Sequence, residues 1–189
     1  MKDFTPTKET ISLHGLGFLQ LTLPERKRLH VWHPDLPRRE CYNMSAIHNH
    51  RFAFKSTVLI GTQINLRYDI EIDDEGTHDL ISHNGPRSPL GGRISKPVAR
   101  CNVHPREIET YEPGQSYVMP ALEYHETPNS GIVVTLMEKT YEGSIHATSV
   151  IRRPYSFDQT FDRFQLPEAR LWDIVTQALS QKGLSNVNA

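Results

Sequence analysis

The chain has 189 residues, with 21 lysines and arginines against 22 acidic residues and a formal net charge of −1. This balance gives no support to nucleic-acid binding, or to binding of an anionic membrane, through bulk charge. No apolar run is long enough to cross a bilayer and the N-terminus lacks an apolar signal core, so we expect a cytoplasmic protein without membrane or nucleic-acid partners. Cys41 and Cys101 form no CxxC motif and are expected to be reduced thiols. The length fits one domain over residues 1–189.

The first half of the chain is predicted to form strands. RLHVWH (28–33) is one candidate, and SAIHNHRFAFKSTVLIG (45–61) leads into another. TQINLRYDIEI (62–72) alternates most clearly, with Asn65, Arg67, Asp69 and Glu71 on one face and five apolar residues on the other. A half-buried strand has this pattern, so we expect the apolar face to lie on the core. The apolar residues are Ile64, Leu66, Tyr68, Ile70 and Ile72.

Residues 73–97 differ in composition, with many Gly, Pro, Ser and Asp residues and little periodicity. This pattern predicts a long loop off the sheet that contains at most a short hairpin. A lid over a pocket and a simple surface loop both fit the sequence.

The second half contains further strand candidates at 106–112, 115–120 and 132–137. The last is apolar on both faces and is predicted to be a central strand. Many short strands separated by Gly and Pro favour a barrel or a sandwich. The hydrophobic period then changes from that of a strand to that of a helix. Pro167 and Gly183 flank an apolar stripe at helical spacing. We expect a helix over about 167–182 that packs on the barrel exterior rather than against another subunit.

Two histidines, His48 and His50, are one residue apart before a β-branched stretch. Residues i and i+2 of a strand share a face, so both imidazoles would lie on the side of Phe52 and Phe54. His125 follows a Pro-containing turn in PGQSYVMPALEYHETPNSG (113–131) and would begin the next strand. Neutral imidazole is a favoured ligand for Fe, Zn, Cu and Ni, and three imidazoles can cap one face of an ion. We therefore predict a metal site formed by His48, His50 and His125.

Both histidine stretches resemble the motifs of the cupin superfamily. The first family motif, G-x5-H-x-H-x3,4-E-x6-G, is matched at His48, His50 and Gly61. The second, G-x5-7-P-x-G-x2-H-x3-N, is matched at Gly114, Pro120, His125 and Asn129. The resemblance centres on about residues 42–137. It implies an all-β fold, a single cupin-type β-barrel (double-stranded β-helix or jelly roll), to which the C-terminal helix is added.

The departures from these motifs define the kind of site. Tyr42 and Leu122 stand where the family has glycines, and Phe54 stands at the glutamate position. The site therefore resembles that of three-histidine cupins, such as thiol dioxygenases and gentisate-type or diketone-cleaving dioxygenases, which use ferrous iron. The resemblance implies a non-haem Fe(II) dioxygenase-like oxidoreductase acting on a small organic substrate, with Zn, Ni or Mn as other metals. A sugar or nucleotide-sugar isomerase or epimerase, a non-catalytic small-molecule-binding module and a homodimer stay open.

Several other residues are candidates for the pocket. Phe52 and Phe54 would make it partly apolar, and Arg51 would contact an anionic substrate only near the barrel mouth. Tyr68 and Tyr117 are the candidate catalytic hydroxyls. Glu123 is in phase with His125 but is predicted to lie in the turn, so it is not assigned as a metal ligand.

Overall fold

The computed structural model describes residues 10–128 and 131–184. Within these ranges the chain is mostly strand, with one short 3-10 helix at Glu40–Asn43 and one α-helix, α1, at Glu168–Leu184. The strands are β1 Ile11–His14, β2 Phe18–Thr22, β3 Lys27–Trp32, β4 Phe52–Ile60, β5 Gln63–Ile72, β6 His78–Ser82, β7 Lys96–Tyr111, β8 Ser116–Met119, β9 Tyr124–Glu126, β10 Val133–Glu142 and β11 Thr148–Arg152. The prediction of an all-β fold with a C-terminal helix is confirmed.

The strands form two antiparallel sheets. One has six strands in the order β1-β2-β3-β10-β4-β8, and the other has five in the order β11-β6-β7-β5-β9. β10 lies between β3 and β4, so the prediction of a central strand at 132–137 is confirmed. Every pairing between named strands is antiparallel, as expected for an all-β fold with short connections.

The six-stranded sheet separates α1 from the interior of the protein. Leu171, Ile174, Val175 and Ala178 of the helix are buried against apolar residues from β1 to β4 and β10. Leu179, the fifth apolar residue at helical spacing in α1, is 42% exposed. Packing of the helix on the sheet is therefore confirmed for the first four positions of the stripe. The opposite face of this sheet forms one wall of the candidate site.

The segment 73–97 differs from its prediction as a loop. Residues His78–Ser82 form β6, which pairs with β7 on one side and β11 on the other. The isolated bridge Arg87–Arg93 supplies the short hairpin. Only residues 83–95 connect the two strands, because β7 begins at Lys96. The alternating stretch in β6 is too short to stand out among the surrounding turn residues.

β5 forms as predicted, but the first half of the strand has the opposite orientation. Gln63 and Asn65 are fully buried and Arg67 is 8% exposed, whereas Ile64 and Leu66 are only half-buried. A register shift with β7 follows Arg67. The polar face is inside because its members bond to one another and to neighbouring strands, as the Gln63 amide does to Asn65 Oδ1 at 3.1 Å. Polar groups with partners can be buried at small net cost, and on this face Asn65 Nδ2 is the buried atom that has no partner among the described residues.

Candidate metal centre and cavity

A cavity of about 300 Å3 lies on the face of the six-stranded sheet opposite α1. Successive side chains of each strand face the cavity and the helix in turn. In β3, Arg28, His30 and Trp32 face the cavity, while Val31 faces the helix. Phe52 and Phe54 of β4 line the same space. The period of two along each strand thus gives one sheet an apolar face for α1 and a histidine- and arginine-rich face for the cavity.

The three predicted ligands come together in this cavity. The ring centroid of His48 lies 4.8 Å from that of His50 and 4.6 Å from that of His125. Backbone pairing sets this approach, because His48 and His125 each donate an N–H to the carbonyl of the other at 2.9 Å. His50 precedes β4, whereas His125 lies in β9, so the group joins the two sheets.

The geometry of the nitrogens fits a metal ion. Candidate ligand atoms of the three histidines lie within 4.8 Å of one another. His48 Nδ1 is 2.8 Å from the Ala46 carbonyl, so it donates its proton there and leaves Nε2 as the ligand atom. The Nε2 atoms of His50 and His125 are 3.1 Å apart. A metal that binds imidazole nitrogens at about 2.0–2.1 Å places neighbouring ligand nitrogens about 3 Å apart. The group could therefore hold a metal ion.

Burial keeps these imidazoles in the neutral form that binds metals. Loss of solvation lowers the pKa of His48 to about 4 and holds the pKa values of His50 and His125 well below 6.5, an effect to which the neighbouring histidines add. His125 Nδ1 is buried and has no hydrogen-bond partner among the described residues.

Each departure from the family motifs has a defined place. The Phe54 ring lies 5.3 Å from the His50 ring, edge to face, and lines the same cavity. Leu122 has a left-handed φ of 65°, which normally favours glycine, and its N–H donates to the His50 carbonyl at 2.7 Å. Tyr42 is buried, with its hydroxyl 3.0 Å from Ser149 Oγ. Asn129 lies outside the described residues.

Gly61, which matches the first motif, cannot be replaced without a clash. Its φ is +72°, and a Cβ atom there would lie 2.2 Å from the Ile132 carbonyl oxygen. A glycine therefore ends β4 where the chain turns closely past β10.

The remaining sequence candidates are divided between the cavity and other surfaces. Phe52, Phe54 and Tyr117 line the cavity. Arg51 is exposed outside it and pairs with Glu142 at 2.7 Å. Arg67 of β5 is paired with His125 of β9. Tyr68 is the next residue of β5, so its side chain lies on the face of the sheet opposite to that of Arg67.

The two tyrosines are both kept protonated. Burial raises the pKa of Tyr68, and so does its hydrogen bond to Glu126. Burial also raises the pKa of Tyr117, although hydrogen bonds to Ser56 and Asn65 oppose that effect. Glu123 pairs with Arg106 and Arg67 and does not line the cavity.

Sequence reasoning missed most of the cavity wall. Three further histidines line it, His14, His30 and His83. Six arginines do so as well, namely Arg28, Arg38, Arg39, Arg87, Arg93 and Arg163. Alternation in RLHVWH was the available signal for Arg28 and His30, since i and i+2 share a face. The others come from separate elements and connections, which only the folded chain brings together.

A scan against protein-family models gives no match, and no curated protein matches the sequence. Across the described ranges, α1 included, no helix combines the length and apolar character needed to span a membrane. The functional assignment therefore depends on the site geometry.

Proposed function

We propose that this chain is a three-histidine cupin, a non-haem Fe(II) dioxygenase-like oxidoreductase for a small organic substrate. The observation that carries the proposal is the convergence of three neutral imidazoles in one cavity that no Asp or Glu of the described ranges lines. The two-sheet architecture with a cavity on an inner sheet face supports a cupin-type jelly roll.

His48, His50 and His125 would hold the metal by their neutral Nε2 atoms. Bound ferrous iron would make one-electron chemistry with dioxygen accessible. The protein's own part is positional. The Ala46 carbonyl fixes the His48 tautomer, and the Leu122 N–H ties the turn before His125 to the His50 backbone.

The surroundings of the histidines support oxidation chemistry in a partly dry site. Phe52 and Phe54 cover His50 at ring distances of 5.0 and 5.3 Å. They exclude water from that side and leave the carboxylate position empty of protein charge. Tyr117 packs edge to face against Phe54 and adds a third ring to the aromatic part of the cavity wall.

Metal analysis of protein purified without a histidine tag tests this proposal. We expect stoichiometric iron after anaerobic reconstitution, and a loss of iron affinity of at least about 100-fold when His48, His50 or His125 is replaced singly by Ala. His146→Ala is the matched control, because His146 is exposed and does not line the cavity. Circular dichroism checks that each variant is folded.

The outcomes separate the alternatives. Iron together with oxygen consumption in a substrate screen supports the dioxygenase. Stoichiometric zinc in place of iron would instead favour the isomerase or epimerase alternative. Equal metal content in all four variants and the parent chain would remove the metal site altogether.

A further inference from the structure

The cavity wall is strongly cationic, and the described carboxylate that attracts one of its arginines, Glu142 near Arg28, lies outside the wall. Arg28, Arg39 and Arg163 are buried or half-buried, and Arg38, Arg87 and Arg93 are exposed at its opening. No Asp or Glu from residues 10–128 or 131–184 lines this space. Within the same ranges none of the six arginines forms an ion pair, whereas Arg26, Arg51, Arg67, Arg106 and Arg170 all do. In a chain of net charge −1, this separation of charge marks a place for an anion.

The arginines act on one another. Burial, together with the nearby charges of Arg87, Arg28 and Arg39, lowers the pKa of Arg163 to about 10. Like charges held this close in a half-buried space repel one another. A bound anion relieves the repulsion, so the wall is better suited to an occupied cavity than to an empty one.

Three of these guanidinium groups keep donors available. Arg28 gives one N–H to Gln20 Oε1 at 3.3 Å, and a guanidinium has five. Arg163 gives Nε to the Leu13 carbonyl and Nη2 to Ser12 Oγ, which fixes its orientation and leaves Nη1. The Arg87 side chain makes no hydrogen bond within the described residues. Arg39 differs, because it donates to the Asp158 carbonyl and packs on the Phe157 and Phe161 rings.

The separation of Arg28 from His50 limits the size of the ligand. The Arg28 guanidinium lies 5.5 Å from the centre of the Phe52 ring, and that ring lies 5.0 Å from the His50 ring. One phenylalanine ring therefore separates the cationic wall from the candidate metal ligands. The surface between them is aromatic, with Phe18 stacked on His14 at 4.4 Å.

We propose that the cavity binds a small organic oxyanion, a carboxylic acid or phosphate ester with an apolar body about as long as one aromatic ring. Its acid group accepts hydrogen bonds from Arg28, Arg87 and Arg163. Its apolar body lies on Phe18, Phe52 and Phe54 and directs the far end toward the three histidines. The inference deepens the proposed function and rests on it only for the part of the ligand that faces the metal.

Calorimetric titration of metal-free protein isolates the arginine site from the metal. The probes are benzoate, phenyl phosphate and the neutral benzyl alcohol. We expect at least one of the two anions to bind about tenfold or more tightly than the alcohol, and added NaCl to weaken only the anions. Tighter binding of phenyl phosphate would assign a phosphate ester, and tighter binding of benzoate a carboxylic acid.

Two variants and one control test the residues. Arg28→Gln and Arg87→Gln should each weaken anion binding about tenfold without affecting the alcohol. Arg106→Gln should leave it unchanged, because Arg106 is exposed, pairs with Asp69 and does not line the cavity. Equal binding of anions and alcohol, or equal losses in all three variants, would overturn the inference. Iron binding without anion binding would reject this inference alone, and anion binding without iron would reject only the proposed metal function.

Discussion

Buried and half-buried arginines occur in two regions of this protein, in opposite electrostatic settings. Arg67, on the inward face of β5, is paired with Glu109 at 2.8 Å and donates to the Val118 carbonyl. Although burial opposes its charge, the bond to Glu109 raises the pKa of Arg67. Arg163, on the cavity wall, has backbone and serine partners but no described carboxylate, and burial lowers its pKa to about 10.

The difference shows how to separate structural from ligand-binding charge. A buried cation with a carboxylate partner is already neutralised within the protein. Removal of either partner therefore destabilises the fold. A cation held in place by neutral acceptors and surrounded by like charge is incomplete in the free protein. By this criterion Arg67 is structural, whereas Arg28 and Arg163 belong to a binding site.

The largest effect on the free energy of unfolding is expected when the Arg67–Glu109 pair is broken. Glu109→Gln should lower the free energy of unfolding by about 3 kcal/mol, because it leaves Arg67 buried with only the more distant Glu123. Arg28→Gln should change that free energy by less than about 0.5 kcal/mol, since it removes both the repulsion from Arg87 and Arg51 and the attraction to Glu142. Urea denaturation measures both.

Asp69→Asn is the control for this pair of variants. It breaks the exposed Asp69–Arg106 pair and should cost less than about 1 kcal/mol. A loss for Arg28→Gln as large as that for Glu109→Gln would remove the distinction between the two regions.

Acidification should act on the cavity side. His30 lies between Phe18 and Trp32, and burial lowers its pKa to about 3, with Arg28 and Arg163 adding to the effect. His30 is protonated near pH 6.5 in the unfolded chain but stays neutral in the folded protein. The free energy of unfolding therefore falls as the pH drops from 6.5 toward 3. His14 and His50 face the same space and contribute in the same direction.

Between pH 7 and pH 4.5, the free energy of unfolding should fall by about 2 kcal/mol less in His30→Phe than in the parent chain. Urea denaturation at both pH values measures this difference. His104→Gln is the control, since His104 is exposed and pairs with Glu71 on the other sheet. Identical pH dependence in the parent chain and His30→Phe would mean that water reaches this imidazole freely.

The smallest of the three effects is expected when a carboxylate is introduced into the cavity wall. Phe54→Glu would place a carboxylate beside His50, and we expect it to retain or tighten metal binding while weakening benzoate by about tenfold, or about 1.4 kcal/mol. Phe54→Leu, which keeps the site uncharged, should leave benzoate binding near that of the parent chain. Calorimetry with each ligand gives both affinities. Metal affinity in Phe54→Glu no better than in Phe54→Leu would mean that residue 54 does not face the metal.

Local patterns were sufficient for most of the fold. The strands at 28–33, 62–72, 115–120 and 132–137 and the C-terminal helix depend on residues close in sequence, and each appears within a few positions of its prediction. The orientation of β5 could not be predicted in this way. Its polar face is buried because Glu109 of β7 and Thr127, which follows β9, supply partners from distant parts of the chain. Alternation identifies two faces, but only tertiary contacts decide which one is inside.

The candidate site shows the same limit. The histidine group was predictable because HxH and the distal histidine have spacings that a family resemblance can detect. The arginine wall has no such spacing, since Arg28, Arg87 and Arg163 are far apart in sequence. The absence of acidic residues from the cavity is likewise a property of packing rather than of composition, which is nearly balanced in charge.

The backbone pairing of His48 with His125 gives the candidate metal centre a mechanical role. A metal held by His50 and His125 would be a removable cross-link between the six-stranded and five-stranded sheets. Binding to the folded state alone adds about 2.7 kcal/mol of stability when free metal is 100 times its dissociation constant. The melting temperature of the protein would then serve as a gauge of metal occupancy, readable without a substrate, and chains that lack metal would be the first to open to proteases.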